Sequence, residues 1–366
     1  MAPPVRTAAT LGPGPSRTVS VGCGAVSESP AASEPNLEAS PAAGRPPAVV
    51  VAPALNPAQQ QIIDLLGRAE TEPAPVRPDL VDELRSELHN ATAPLLGDLA
   101  GEKLWVSKHA LSAIHGCEAQ YVSSRDDFSW SVHNTRGVVA HRAIELSVHW
   151  RGDKAPGELV DEAMGRFIND DRGPATYLAR LPEAERAHLR GEATDLVAKF
   201  LECFPPIKDA WWVRSEGSII HELHDGLIVL SGKPDLTLGR VRTNVPAKVV
   251  IDLKTGARSP AHREDLRFYA LVETLRMGVP PRKIATYYVD LARAEAEDVT
   301  EAHLHAATRR VVDGVTKLVE VLHADREPNR QPGPPCRWCK LRPDCGPGTT
   351  YLRRDEEDTA DPAEPW

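Results

Sequence analysis

The chain has 366 residues, 41% of them hydrophobic, and a formal net charge of −9. That length is enough for one large domain or two ordinary ones, and the acidic balance, taken alone, argues against a nucleic-acid binder, which needs Lys and Arg for phosphate contacts. No run of about 18 apolar residues occurs, so no membrane-spanning helix is expected, and Met1–Arg6 lacks the apolar stretch of a secretory leader, so the expected compartment is the cytoplasm.

The charge is unevenly placed. Asp355, Glu356, Glu357, Asp358, Asp361 and Glu364 make the C-terminal end acidic, whereas Arg337, Lys340 and Arg342 cluster a few residues earlier. Residues 1–56 are rich in Ala, Pro, Gly and Ser. Such a stretch buries too little apolar area to offset its chain entropy, and a disordered tail is expected there.

A helical N-terminal segment is expected over residues 57–104. Ile62, Ile63, Leu65 and Leu66 give one apolar face, Leu80, Leu84 and Leu88 another, and Pro73, Pro75 and Pro78 separate the two. Ser107 is placed to cap a short helix from Lys108 that Gly116 closes. A longer helix runs from Gly137 through His141 and Glu145, and two more fill 156–203, bounded by Pro174 and Pro182.

The pattern then turns to strands. They are expected over Trp211–Leu223, Gly226–Leu230, Lys233–Leu238 and Ala247–Leu253, the last carrying the doubly buried run Val249, Val250, Ile251. A helix over Pro260–Met277, a strand over Lys283–Leu291 and a helix over Glu301–Asp325 follow. This order predicts an α/β fold with a mixed central sheet flanked by helices, a helical N-terminal part and a cysteine knuckle near the C-terminus. Residues 347–366 read as an acidic disordered tail. No internal repeat is visible.

The chemistry concentrates in two places. The first is Asp235 together with Asp252, Leu253 and Lys254. Side chains alternate along a strand, so Asp252 and Lys254 share one face, and Asp235, on the preceding strand of a hairpin, can reach it. Two converging carboxylates make a hard-oxygen site suited to Mg²⁺ or Mn²⁺. The lysine can orient a water molecule or offset charge on a phosphorus centre. An isolated D-x-K triplet is most often a solvated surface pair. A triplet that ends an apolar strand and leads into Thr255-Gly256 is not placed like one.

These residues resemble a known family. Gly232-x-x-Asp235, then Asp252-x-Lys254-Thr-Gly256, then a helix with Leu266-x-x-Tyr269, is similar to the core of the RecB-like branch of PD-(D/E)XK nucleases. Gly137-x-x-x-His141 with Glu145 is similar to the helix that supplies a metal-binding histidine there. The resemblance covers about 105–346 and implies a restriction-endonuclease-like core. It implies His141, Asp235, Asp252 and the Leu253 carbonyl as ligands of Mg²⁺ or Mn²⁺, and Lys254 as catalytic base or charge stabiliser. Tyr269 and Glu216 are candidates for substrate contact or for support behind the ligands. The chain departs from the branch at Asp265, where a Gln is usual four residues before the Tyr. An ionised Asp donates no hydrogen bond and adds negative charge near phosphate.

The second place is Cys336-x2-Cys339-x5-Cys345, with Cys117 far upstream. Three close thiolates and one remote one make a four-ligand set, and their spacing suits Zn²⁺ and an iron–sulfur cluster equally. Cys23 and Cys203 read as non-ligands. Ser107-x3-Leu111-x5-Cys117-x3-Tyr121 before the core, with three cysteines after it, is similar to the AddB group and the CRISPR-associated four-cysteine exonucleases. That resemblance implies a 4Fe-4S cluster stapling the two ends of the nuclease domain. Trp338, between Arg337 and Lys340, either stacks a base or covers the cluster from water.

The expected function is a metal-dependent exonuclease on single-stranded DNA or DNA ends, in repair, recombination or mobile-element processing. The chain carries no P-loop (G-x4-G-K-[ST]), so unwinding would fall to a helicase or recombination partner in trans. Two alternatives stand beside it: a weakly active or inactive cluster-bearing DNA-binding component of a larger complex, and a zinc-stapled structural protein.

Overall fold

Pro57, an N1 proline, opens α1 (Pro57–Leu66), where Asn56 and Gln59 form a reciprocal cap. The computed structural model describes residues 54–67, 76–125, 127–153, 155–240 and 242–360, all within the unit Pro53–Trp366. The expected tail up to residue 53, Cys23, and the last six residues of the acidic tail lie outside the described residues.

After α2 (Leu80–Thr92) and the single turn α3 (Leu96–Leu99) the chain enters β1 (Leu104–Ser107) and turns directly into α4 (Lys108–Gly116). Ser107 caps α4 as expected, accepting the Ala110 N–H. Gly116 is the last helical residue, but the cap is Cys117 in extended backbone rather than a left-handed glycine. Next come α5 (Glu118–Ser124), α6 (Val132–His149), α7 (Pro156–Asn169), α8 (Ala175–Arg180) and α9 (Glu183–Cys203). Residues 156–203 thus hold three helices rather than two, because the chain bends twice, around Pro174 and again at Pro182.

The strands that follow are β2 (Arg214–Ser215), β3 (Ile219–Leu223), β4 (Ile228–Gly232), β5 (Leu236–Leu238) and β6 (Val249–Lys254). After α10 (Ala261–Met277) come β7 (Lys283–Tyr288), β8 (Arg293–Asp298), α11 (Glu301–Leu322) and α12 (Gly346–Ala360).

The fold is mixed α/β, with the strands in two sheets: β1-β4-β3, and β2-β5-β6-β7-β8. The expected single sheet divides at Lys233-Pro234-Asp235, where Pro234 has no N–H to offer a ladder. β6 runs parallel to β7 and antiparallel to β5, with Asp252 opposite Thr286 and Ile251 opposite Leu236. β1 and β8 were not expected. β1 is one turn of extended chain beside β4, and β8 alternates alanine with acids and carries no β-branched residue.

Two apolar clusters pack against the strands. Val250 joins one with α2, α4, α10 and α11. Val249, Ile251 and Leu253 join the other with α6, α7 and α9. The alternation of β6 therefore sets Asp252 on the Val250 side.

Residues 346–360 are helical where an acidic tail was expected. The Thr349 N–H bonds to the Cys345 carbonyl at 3.0 Å, Leu352 is buried, and Asp355 pairs with Arg337. The buried Leu352 and the Arg337–Asp355 pair help to tie this mostly polar helix to the chain before it.

Candidate active site

The C-terminal end of β6, the entry to β5, the middle of α6 and the first residue of α4 meet around a cleft of about 570 Å³. Its lining includes Lys108, His141, Asp235, Asp252, Leu253 and Lys254. Glu216 and Glu145 line it too. A larger groove of about 770 Å³, lined by Ile62, Trp211 and Trp212 among others, has no carboxylate among the described residues that line it.

Asp252 is the centre of charge. Its side chain is 1% exposed, Lys108 Nζ lies 2.5 Å from Oδ1, and Lys254 Nζ lies 2.8 Å from Oδ2. Burial would raise this carboxyl, but the two ammonium groups outweigh it and hold it below the ordinary carboxylate range. Lys254 also lies 3.5 Å from Asp265, and Asp265 accepts the Ser112 hydroxyl at 2.9 Å.

Asp235 sits immediately before β5 rather than on it. Its Oδ2 accepts the Leu253 N–H at 2.6 Å, and its Oδ1 lies 3.0 Å from His141 Nδ1. Burial, the largest influence on the imidazole, favours its neutral form; Asp235 and then Asp252 overcome it and raise the pKa. Glu216, just after β2, has left-handed backbone (φ 53°), pairs with Lys233, and donates its N–H to the Asp235 carbonyl at 2.9 Å.

Two motif glycines are required by close approach. A Cβ on Gly137 would lie 2.6 Å from Thr255 Oγ1, and one on Gly232 would lie 2.6 Å from Tyr269 Cε1. These contacts let α6 reach the end of β6 and let Tyr269 pass under β4. Tyr269 is buried and donates its hydroxyl to the Lys233 carbonyl at 3.1 Å. Burial, then Asp252 and Asp235, push its phenol far above the ordinary value, so it remains a donor. Tyr269 and Asp265 stand behind the cleft rather than in its lining.

Sequence reasoning did not single out Lys108. One signal was available. A lysine at the first position of a helix sits at the positive end of the helix dipole, where a cation is disfavoured unless a carboxylate faces it.

The donors fit a hard divalent ion in kind: two carboxylates, an imidazole and a strand-end carbonyl. Asp252 Oδ2 is buried and accepts no well-aligned hydrogen bond, although Lys254 is close. As the side chains stand, no group of three His, Cys, Asp or Glu among the described residues is close enough to hold an ion. Asp235 is engaged by His141 and Leu253, and Asp252 by two lysines.

The four expected cysteines lie together. Cys117, Cys336, Cys339 and Cys345 line one cavity of about 20 Å³. A Cβ on Gly348 would lie 3.2 Å from Cys345 Sγ and 3.4 Å from Cys336 Sγ. The Gly333 N–H points at Cys336 Sγ at 3.4 Å. None of the four is in a disulfide, and Cys203, at the end of α9, is outside their cavity. Protein contacts bring the two ends together here: Glu118 accepts from Arg326 and from the Asn329 N–H, and the Ala119 N–H bonds to the Asn329 carbonyl. Trp338 is 80% exposed and absent from the cavity lining, so it does not cover the thiols. The basic cluster beside it is partly neutralised, Arg337 by Asp355 and Lys340 by Asp127.

No curated protein matches the chain. Among solved structures, a candidate exonuclease from Eubacterium rectale is similar at 13% identity over 68% of this chain and 88% of that one, with a TM-score of 0.39. SSO0001 is similar at 14% identity over 57% of this chain and 94% of that one, with a TM-score of 0.25. Both scores lie below the level at which a shared fold follows. The family model described as the PD-(D/E)XK nuclease superfamily matches residues 106–346, well over half of the chain. The chain belongs to the PD-(D/E)XK nuclease superfamily, whose members hydrolyse phosphodiester bonds.

Proposed function

We propose that the chain is a metal-dependent deoxyribonuclease of the RecB-like branch. In this reading it acts as an exonuclease on single-stranded DNA or DNA ends, in repair, recombination or mobile-element processing. The observation that carries the reading is the buried Asp252 carboxylate, which lines one cleft with Asp235, His141 and Lys254. His141, Asp235, Asp252 and the Leu253 carbonyl are the groups that would hold Mg²⁺ or Mn²⁺. When bound, the ion supplies Lewis acidity and an acidified water molecule. Lys254 offsets charge that develops on the phosphate, or orients the water. Asp235 fixes the β6 backbone through Leu253 and sets the imidazole ring. Tyr269 carries the Lys233 backbone, and with it the turn into Asp235.

The four-thiol cavity supports a 4Fe-4S cluster in this reading, with Zn²⁺ as the alternative ion. It would close the chain between Cys117 and Cys345, on a framework that Glu118 already aligns. A helicase or recombination partner in trans would supply unwinding. The cytoplasm remains the proposed compartment, and no helix among the described residues is long and apolar enough to cross a membrane.

One observation favours a second reading, a weakly active component of a larger complex. Asp265 lies 3.5 Å from Lys254 and draws part of its charge away from the cleft. The experiment that separates the readings is Mn²⁺-dependent degradation of end-labelled single-stranded DNA, with iron and sulfide analysis of the same oxygen-free preparation. Turnover that Asp252→Asn abolishes supports the first reading. Retained DNA binding with no turnover supports the second. Zinc in place of iron removes the cluster from either.

A further inference from the structure

Lys108 reaches the catalytic cleft from α4, outside the strand motif that carries Asp235, Asp252 and Lys254. It follows the cap residue Ser107, whose strand β1 lies in parallel register with β4, Ser107 opposite Ser231. That register and the cap fix where α4 begins, and so fix where the lysine stem starts. The ammonium group lies 2.5 Å from Asp252 Oδ1 and 4.7 Å from the centre of the Tyr269 ring. Its side chain is 25% exposed, so it faces both the buried acid and the cleft.

The two lysines on Asp252 are not equivalent. Lys254 has a second acid, Asp265, at 3.5 Å. Among the described residues, Lys108 has no carboxylate other than Asp252 within ion-pair distance. Two ammonium groups already crowd Asp252. A divalent cation on the same carboxylate places like charges side by side. Lys254 can retreat toward Asp265. Lys108 can only swing into the cleft on its flexible four-carbon stem. Glu145 and Glu216 in that cleft are held by Arg142 and Lys233, and a phosphodiester bound there is a further anion for the lysine.

We propose that Lys108 is the resident counter-ion of Asp252, which yields when a divalent ion binds and then holds a phosphate oxygen of the strand being cut. It thus sets the metal affinity of the site and couples loading with metal to binding of the scissile phosphate. The proposal rests on the reading of Asp252 as a metal ligand. The Tyr269 ring beside the ammonium favours the cation without pinning it as an acid would.

The test uses the full-length protein. Mn²⁺ is titrated by calorimetry without DNA into wild type, Lys108→Met, Lys108→Gln, Lys108→Arg and Asp252→Asn. The two neutral variants should bind Mn²⁺ about tenfold more tightly than wild type, since a competing cation is gone, and Lys108→Arg should bind like wild type. Single-turnover cleavage of single-stranded DNA at saturating Mn²⁺ should nevertheless fall about 10²-fold in both neutral variants and recover in part in Lys108→Arg. Unchanged or weaker Mn²⁺ binding in the neutral variants, with binding lost in Asp252→Asn, overturns the proposal and leaves the nuclease site intact. Mn²⁺ binding that survives Asp252→Asn overturns the site reading and this proposal with it. Wild-type cleavage rates in both neutral variants overturn the phosphate role. The two neutral variants are read together, so a folding failure in one leaves the other to decide.

Discussion

Asp235 accepts the Leu253 backbone N–H at 2.6 Å across the gap between the turn before β5 and the end of β6. One carboxylate oxygen therefore fixes the strand that carries Asp252 and Lys254, while the other meets His141. The residue has a structural task as well as its proposed place on the metal.

The two tasks separate by substitution. Without metal, Asp235→Ala leaves a part-buried N–H unpaired and should cost about 1–3 kcal/mol. Asp235→Asn keeps an acceptor oxygen and should cost less, yet both should lose Mn²⁺ affinity. Urea unfolding in chelator, beside metal titration, checks this. Equal stability of Asp235→Ala and wild type would show that the Leu253 contact carries no weight.

Gly232→Ala should force the Tyr269 ring aside, because the new methyl would lie 2.6 Å from Cε1. Overpacking of this kind costs about 1–3 kcal/mol. In the double variant with Tyr269→Ala the methyl finds space, so the two changes should be non-additive by more than about 0.5 kcal/mol. Strict additivity in thermal unfolding would place the ring elsewhere.

If the four thiols hold the proposed cluster, Cys117→Ser should lose its iron and destabilise the domain, because it removes the remote ligand. Cys203→Ser should keep the iron, since that thiol is outside the shared cavity. Iron and sulfide content of the two variants decides it, and the reverse pattern would reassign the ligands.

Glu118 predicts an acid limb of stability. Burial would raise its pKa, but hydrogen bonds from Arg326 and the Asn329 N–H outweigh this and lower it. A lowered folded-state pKa gives stability that is present above the ordinary glutamate value, about 4.3, and is lost as pH falls through the folded value. Stability of the wild type should therefore drop below about pH 4.3 more steeply than that of Glu118→Gln. Parallel curves would remove Glu118 from the alignment of the cysteine segments.

Much of this was legible in the sequence, for identifiable reasons. β6 is legible because Val249, Val250 and Ile251 are too apolar for a surface strand, and α4 because Ser107 is a strong cap. The grouping of Asp235, Asp252 and Lys254 followed from strand alternation and a hairpin, that of His141 from the family resemblance, and the structure brings all four to one cleft. Lys108 went unread because its one local sign is a cation at a helix N-terminus, while the acid that explains it is 144 residues away. β8 was hidden because its strand character comes from pairing with β7, Thr286 opposite Glu295, rather than from propensity. The helix over 346–360 was hidden because its stability comes from Leu352 and the Arg337–Asp355 pair, not from an apolar stripe.

The most direct test of the account is single-turnover cleavage of end-labelled single-stranded DNA by Lys254→Ala at saturating Mn²⁺, with Mn²⁺ affinity measured on the same protein. The account predicts that metal binding persists, since the ligand set is intact, while the rate falls about 10²–10⁴-fold. A Lys254→Ala protein that binds Mn²⁺ and cleaves at the wild-type rate would contradict it.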